Sequence, residues 1–521
     1  MPYDVILIHP PAIYDFRKKT IFPGPIGYTV GESTDQFMIP PVGMLSIADY
    51  LSRNKYKVIV DNLCERMVTD GDFDAEEHIK SLSARVYAIG LHWCVHSQGA
   101  IEIARLCKKL HPEAMVIIGG LTATVFAEEI IRNYDFIDAA IRGEAEKPFL
   151  SFMQALEKDG NLEEVPNLTF RDSEGKVTSN PLMQPDDNLD EYEFTRLDLL
   201  EPKRAVFSQD MPAHWMIPVC RGCLHNCVTC GGSAYSYRTY LGRRKPAFRS
   251  PEKIAEDIQK LSRQGVQFVF LFQDPTMGGK EYWKHLLAVL RKTEINMIQL
   301  TVELFGPVDE EYIKDLSKIG VPVLINISPE SMVDDVRKAH GRNYTNKELF
   351  RTIELCNRYG IATNIFSMIA LARDTAGTIK ETWGEWERIC RLNQRFMRNG
   401  DGAPVFHSFG PMVLLDPGSP AFNFPDKHGY HILFKELGDF IDGMSLPSWH
   451  QWVSYETMNL SRDSIVRLII DSIEHSINLR EKYGLFSPAA ADAKRSYYVD
   501  ENRRIVDAVD RVLSLHNKGE L

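Results

Sequence analysis

The chain is predicted to be an α/β protein in three parts: a Rossmann-like doubly wound parallel sheet, a barrel or partial barrel of strand and helix units, and a mainly helical C-terminal region. Three features predict this. Short apolar runs alternate with amphipathic stretches over the first 150 residues; the rhythm resumes beyond a polar stretch that ends near residue 205; and strand-like runs cease after about residue 425. Continuous apolar strands separated by helices are buried on both faces, which is the pattern of parallel sheets.

In order, the first strand is expected over 4–8, then a helix over 42–54, strands over 57–61 and 86–91, a helix over 98–110, strands over 115–120 and 139–143, and a helix over 146–158. Such a sheet binds its ligands beyond the carboxyl ends of the strands. Residues 159–205 are rich in Asp, Asn, Glu and Pro, carry only a short hairpin signal at 168–170 and 176–178, and read as a linker. The second series of strands is expected over 216–219, 268–272, 298–303, 323–327, 363–369 and 405–413, with helices such as 251–264 and 347–359 between them. Five or six units in series make a parallel barrel or part of one, with its chemistry at the strand C-termini. Amphipathic helices over 461–482 and 500–513 complete the pattern. The expected domains are 1–158, a linker 159–205, 206–425 and 426–521.

The composition is globular: 521 residues, 44% hydrophobic and 25% charged, which excludes a disordered or fibrous chain. A net charge of −11 argues against an extended nucleic-acid surface, since phosphate contacts need concentrated positive charge. No run approaches the roughly 18 apolar residues of a membrane helix, and the start, Met1-Pro2-Tyr3-Asp4, lacks a basic n-region and a cleavage site. The protein is expected to be cytoplasmic and monomeric, without nucleic acid or a transmembrane segment.

Nine cysteines are too few and too uneven for a disulfide scaffold. Cys64, Cys94, Cys107, Cys356 and Cys390 are scattered, whereas Cys220, Cys223, Cys227 and Cys230 crowd into eleven positions. Cys223-x3-Cys227-x2-Cys230 follows a predicted strand, so three thiolates could converge on one inorganic centre. A zinc site using Cys220 as fourth ligand and an iron–sulfur cluster both fit these residues alone. His225, inside the loop, reads as a solvated or cofactor-packing side chain rather than a ligand.

This three-cysteine loop after a first barrel strand resembles the signature of the radical S-adenosylmethionine superfamily. The resemblance implies a (β/α)6 partial TIM barrel and a 4Fe–4S cluster held by Cys223, Cys227 and Cys230. The remaining iron would chelate S-adenosylmethionine, which one electron cleaves to a 5′-deoxyadenosyl radical; a flavodoxin or ferredoxin would donate the electron. Gln273 and Asp274, at the end of the second predicted strand, look like the segment that approaches the amino group of S-adenosylmethionine. Ser328 and Glu330 resemble the fourth-strand segment that contacts the cofactor. At the fifth strand, Ala370-Leu371-Ala372-Arg373-Asp374-Thr375 departs from the Gly-x-Pro-Gly-Glu-Thr of many relatives, so the adenosine wall is expected to differ. Residues 415–420 resemble a turn that follows the sixth strand.

Ahead of the barrel, His9-Pro10-Pro11, Pro40-Pro41-Val42-Gly43-Met44, Gly119-Gly120 and Arg142-Gly143-Glu144-Ala145-Glu146 together look like the cobalamin-binding domain of many such enzymes. The resemblance implies that Pro10, Gly43, His92, Trp93, Gly119, Gly120 and Glu144 contact cobalamin. The Asp-x-His-x-x-Gly sequence that supplies a cobalt-ligating His elsewhere is absent, and the resemblance implies a displaced dimethylbenzimidazole with no His on cobalt; Trp93 could cap the lower corrin face and disfavour an axial ligand, with His92, His96 and Cys94 on the same loop as the less favoured ligand reading. In the barrel and beyond, His407 is a candidate for proton transfer or hydrogen bonding near substrate, and Tyr455, with the aromatic stretch 447–452, for lining or covering the substrate pocket. The implied activity is anaerobic methylation of an unactivated carbon of a small molecule or lipid through methylcobalamin. The alternatives are cyclisation, rearrangement or oxidation without methyl transfer, and a non-catalytic cobalamin or zinc sensor.

Overall fold

The computed structural model describes residues 2–19, 36, 41–158, 161–203, 214–399, 403–411 and 413–517; Pro40 lies outside them. The first sheet contains β1 (Tyr3–His9), β2 (Val58–Asn62), β3 (Ala84–Gly90), β4 (Met115–Gly119), β5 (Ala139–Ile141), β6 (Leu168–Arg171), β7 (Val177–Ser179) and β8 (Leu200–Glu201), in the spatial order β7-β6-β5-β4-β3-β1-β2-β8. β1 is central and parallel to both neighbours, with Leu7 opposite Val60 and Ala88. Val5, Ile6, Leu7 and Ile8 are each at most 2% exposed, as an apolar run covered on both faces requires.

Residues 161–203 are more than the expected linker. β6 and β7 form an antiparallel hairpin that extends one edge of the sheet beyond β5, and β8 adds to the other edge beside β2. The hairpin closes because the Asp172 carboxylate accepts hydrogen bonds from the backbone N–H groups of Glu174 and Lys176, an Asx-type turn. Between the edges, the chain straps onto the barrel. Trp215 Nε1 donates to the carbonyl of Phe194, and Leu189, Tyr192 and Phe194 pack with Ala247 in a satellite core. These contacts are long-range, which is why local composition read as a connector.

Glu193 is the ionic knot of this strap. Lys253 and Lys260, two turns apart on the helix Pro251–Arg263, donate to Glu193 Oε2 at 3.1 and 2.9 Å, and Thr195 Oγ1 donates to Oε1. Burial alone would raise the Glu193 carboxyl, but these hydrogen bonds and charges more than offset it and hold it at about 2. Because the folded-state value is depressed, the stabilisation is fully present above the unfolded value near 4.5 and is lost as pH falls toward 2. Glu193→Gln is expected to cost about 2 kcal/mol at pH 7, after solvent screening is allowed for. Urea midpoints of the two proteins should converge as pH is lowered from 5 to 2.

The second sheet is the expected partial barrel. β9 (Trp215–Pro218) is followed by a small antiparallel pair, β10 (Cys220–Arg221) and β11 (Ala247–Phe248), and then by β12 (Phe268–Phe272), β13 (Gln299–Leu304), β14 (Val323–Glu330), β15 (Ala362–Ile369) and β16 (Val405–Pro411). The six long strands lie in the order β16-β15-β14-β13-β12-β9, every neighbour parallel. Leu300, Val302 and Leu304 are buried under the helices, so Thr301 and Glu303 face the interior by the period of two. In the same interior layer, Phe272, Glu303, Asn326, Asn364 and Phe406 are cross-strand partners or follow from them in register.

The C-terminal region is helical, as expected, apart from one antiparallel pair, β17 (Tyr430–Ile432) and β18 (Tyr455–Thr457). Its longest helix, Arg462–Lys482, is N-capped by Ser461 and lies along the helix Ala376–Asn399; Trp383 stacks on His475 at 4.4 Å and donates to Ser472. Among the described residues no helix is long and apolar enough to cross a membrane.

Candidate functional site

The cysteine loop leaves the barrel immediately after β10, which β11 pins in place with Cys220 opposite Phe248. Cys223 Sγ accepts the N–H of His225 at 3.3 Å, and Cys230 Sγ accepts that of Gly232 at 3.2 Å. Neighbouring segments hold the loop from outside: Val228 donates to the His340 carbonyl, Ala421 donates to Val228, and Gly231 donates to Asp416 Oδ2 at 3.0 Å. Gly341, at φ +94°, allows this approach, because a Cβ there would lie 2.7 Å from the carbonyl oxygen of Asn226. The helix Ala234–Tyr240 follows at once, capped by Ser233.

Among the described residues no three His, Cys, Asp or Glu side chains converge on a single-ion site, so the fit to a metal group rests on the donor set. Burial pushes all three thiols up, so metal must displace their protons. The charge of Arg342 pulls Cys223 and Cys227 back toward thiolate; that guanidinium bonds Glu330 Oε1 through Nε and Nη2, each at 3.2 Å. Three thiols on one loop, two accepting amide hydrogens and a buried cation beside them, suit an iron–sulfur cluster, whose sulfurs are tuned by such donors. Cys220 stands apart from the three. It is 1% exposed, and its thiol donates to Gln273 Oε1 at 2.8 Å.

Beside the loop lies a cavity of about 350 Å³ lined from both sheets. His9, Gly43, His92, Trp93, Gly119 and Gly120 face it from the first, and Met216, Cys220, Arg221, Phe272 and Gln273 from the second. Its walls fit a flat, largely apolar macrocycle such as a corrin: most lining side chains are hydrocarbon, and Gly43 opens onto empty space. Gly120, which lines the cavity, also serves the packing of the loops. At φ +121°, a Cβ there would meet the Leu91 carbonyl oxygen at 2.4 Å, so this glycine lets the loops after β3 and β4 touch one another. Pro10 is buried and does not line the cavity, whereas His9, its neighbour, does.

Glu144 also lines the cavity, but its carboxylate is spent on the barrel. Arg243 donates to it from Nε at 2.6 Å and Nη2 at 3.0 Å, and Arg221 Nη1 lies 3.2 Å away. Arg221 in turn pairs with Glu146, which accepts from Ser46, and lies over the rings of Tyr192 and Phe194. Burial would raise Glu146, yet the Arg221 charge and hydrogen bonds hold it below the usual carboxylate range. The sequence 142–146, expected to serve cobalamin, thus clamps the first sheet to the root of the cysteine loop.

The strand-end residues divide. Gln273, at φ +78°, reaches the cavity, and its N–H donates to Glu303 Oε2 at 2.8 Å. Asp274 instead braces its own turn: Oδ1 accepts from Thr276 and Oδ2 from the N–H of Phe305 at 2.7 Å, which corrects its expected role as a cofactor contact. Ser328 is half-buried on β14. Glu330 sits at φ +65°, where β14 slips register against β15, and is held by Arg342. Glu303, which burial raises to about 7, and Arg342 stood outside every motif, while Asp416, raised to about 6, and Glu146 stood within motifs that did not foretell these contacts. Each lies far in sequence from the cysteines, and only the interior-facing phase of β13 could have pointed to Glu303.

Two expected catalytic residues are structural. His407 points away from the interior: it stacks on Trp386 at 5.4 Å, Nε2 lies 3.1 Å from Ser476 Oγ, and burial drives it far below its ordinary value. Its strand neighbours Phe406 and Ser408 take the opposite face, since successive residues on a strand point to opposite sides. Tyr455 is fully buried and donates to the carbonyl of Ala370 at 3.0 Å. Trp449 and Trp452, from the stretch expected to cover substrate, are likewise fully buried, with their indole N–H groups bonded to Asn502 and Leu446. His407→Gln is therefore expected to lower stability by about 2 kcal/mol while leaving the rate of 5′-deoxyadenosine formation per cluster unchanged, as a urea titration beside an anaerobic cleavage assay would measure.

Comparison with known proteins follows the same division. Residues 217–383 match the model of the Radical SAM superfamily, and residues 30–152 that of the B12 binding domain. The chain is 26% identical over 251 residues to hopanoid C-3 methylase of Methylococcus capsulatus, covering 48% of this chain and 45% of that protein. It is 21% identical over 357 residues to anaerobic magnesium-protoporphyrin IX monomethyl ester cyclase of Rubrivivax gelatinosus, covering 66% and 61%. The chain thus spans about half the length of the curated relatives it matches. Among solved structures, the radical S-adenosylmethionine methyltransferase TsrM from Kitasatospora setae, with cobalamin and a 4Fe–4S cluster bound, superposes with a TM-score of 0.60 at 15% identity over 97% of this chain and 100% of that one. That likeness shares the fold.

Proposed function

We propose, because this chain belongs to the cobalamin-dependent radical S-adenosylmethionine enzymes of the methyltransferase-like family, that it methylates an unactivated carbon of a small molecule or lipid. The observation that carries this reading is a cavity lined by both sheets, which runs from His92 and Trp93 to Gln273 and Cys220 beside the cysteine loop. When bound, the cluster supplies the electron that splits the sulfonium of S-adenosylmethionine, and the corrinoid supplies a carrier for the methyl group.

The protein's part is alignment and exclusion of water. Cys223, Cys227 and Cys230 would hold the iron, with the His225 and Gly232 amides tempering two of the sulfurs. Arg342 and Glu330 fix the rim of the barrel over that loop. The Glu144, Glu146, Arg221 and Arg243 clamp sets the spacing between the two cofactor sites. For substrate, the barrel interior offers contrasting surfaces. Phe272 and Phe406 are 39% and 46% exposed, and opposite them Ser408 donates to Asn364, which donates to Asn326. Rings beside an amide ladder suit a molecule with an apolar body and a neutral polar end. The electron would come from a flavodoxin or ferredoxin, and the enzyme would act as a cytoplasmic monomer.

Anaerobic reconstitution with cobalamin, a reductant and methyl-labelled S-adenosylmethionine, scored against candidate extracts, tests the reading. Labelled product together with 5′-deoxyadenosine supports it. Deoxyadenosine without labelled product supports cyclisation, rearrangement or oxidation instead, the outcome toward which the likeness to the cyclase points. No deoxyadenosine overturns both.

A further inference from the structure

We propose that the barrel interior recognises a carbonyl oxygen on the substrate, held between the Glu303 carboxyl and the amide N–H of Asn326. This rests on the functional reading above and names the chemical class of its substrate. The two residues are cross-strand partners on β13 and β14. Their interior layer continues through Asn364 to Phe406 on one side, and by register to Phe272 on the other. Glu303, Asn326 and Asn364 are each part-exposed, so the layer borders open space inside the barrel rather than packed core.

The hydrogen bonds across this layer have a direction. Ser408 Oγ donates to Asn364 Oδ1 at 2.9 Å, and Asn364 Nδ2 donates to Asn326 Oδ1 at 3.3 Å. The oxygen of Asn326 is thereby taken, and among the described residues its Nδ2 has no acceptor, so the ladder ends in an unspent donor beside Glu303. From the other side, Glu303 Oε2 accepts the N–H of Gln273 at 2.8 Å, and Oε1 has no partner among the described residues. Arg342, whose charge reaches Glu303, has its donors committed: Nε and Nη2 to Glu330 and Nη1 to the carbonyl of Phe305.

Burial raises the Glu303 carboxyl to about 7; the charges of Asp274 and Glu330 add to the rise, while the Gln273 N–H and Arg342 oppose it. A protonated carboxyl keeps one O–H to give, and with the Asn326 amide it presents two donors to one point. A carbonyl oxygen accepts both through its two lone pairs. An alkylammonium would instead set its own hydrogens against the Asn326 N–H. Phe272 and Phe406, at the two ends of the layer and 39% and 46% exposed, take the hydrocarbon remainder.

The test is anaerobic carbon-13 NMR titration of unreduced protein holding cluster, hydroxocobalamin and S-adenosylmethionine. The probes are carbonyl-labelled cyclohexanone, its isostere methylenecyclohexane and cyclohexylammonium, each carbon-13 labelled. Wild type is expected to favour the ketone over the isostere by about tenfold, the worth of a net hydrogen bond or two, with the bound carbonyl carbon shifted downfield. Glu303→Gln should keep that preference and shift, because its amide still donates and its oxygen still accepts from Gln273. Glu303→Leu and Asn326→Leu should each cut the preference to about threefold or less. A Glu303→Gln protein as unselective as Glu303→Leu overturns the proposal, and so does wild type that prefers cyclohexylammonium, shows no preference or binds no ketone. If Glu303→Leu fails to hold its cluster, Glu303→Gln and Asn326→Leu decide. Wild type that forms no 5′-deoxyadenosine once reduced overturns the functional reading itself, a separate result.

Discussion

Cys227→Ser is expected to reduce bound iron and acid-labile sulfide to background, to remove the brown absorption of the anaerobic protein and to abolish 5′-deoxyadenosine formation, while cobalamin still binds. Cys227 is 5% exposed, and burial raises its thiol more than the Arg342 charge lowers it. A serine hydroxyl in that place is a far poorer iron ligand and makes no thiolate, so two sulfurs are left to hold the cluster. The fold should survive, since the loop is anchored by backbone bonds through Val228, Gly231 and Ala421 rather than by the sulfur. Retained cobalamin is the control for folding. Cys220→Ala is the decisive contrast. Its thiol is bonded to Gln273, so iron content should be unchanged; loss of metal in that variant, with zinc in place of iron in the wild type, would instead support a four-cysteine knot.

Much of the architecture was legible because periodicity is local. β12 and the helix Pro251–Arg263 begin at the residues where the continuous apolar run and the helical pattern place them. The cysteine loop was legible because its spacing is itself the chemistry. What escaped depended on contacts between distant segments. Residues 161–203 look polar because their apolar members are few, yet Tyr192 and Phe194 bury themselves under Arg221. Glu144 stood in a recognisable motif, but nothing local says that Arg221 and Arg243 will claim its carboxylate. His407 and Tyr455 were plausible near substrate only until the phase of β16 and the depth of β18 were known.

Glu146→Ala should be the most disruptive single change outside the cysteine loop. It leaves the largely buried Arg221 guanidinium with the shared Glu144 contact at 3.2 Å and the Ser46 hydroxyl as polar partners beside the Tyr192 and Phe194 rings, and breaking one partner of such a pair costs about 3–5 kcal/mol. Arg221 directly follows Cys220 and lies two residues before Cys223, so the same change loosens the tie between the cysteine loop and the first sheet, leaving the Glu144 contacts of Arg221 and Arg243. Replacing Arg221 by Met in the same protein removes the stranded charge, and stability should recover by about 1–3 kcal/mol, the coupling expected of a contacting pair in a double-mutant cycle. Catalysis should not recover with it. Cleavage of S-adenosylmethionine needs only the barrel, whereas methyl transfer needs both cofactor sites in register, and a misplacement of about 1 Å costs on the order of 100-fold. The double variant is therefore expected to keep 5′-deoxyadenosine formation while losing labelled product; equal loss of both would mean that the clamp serves the cluster alone and not the distance between the two sites.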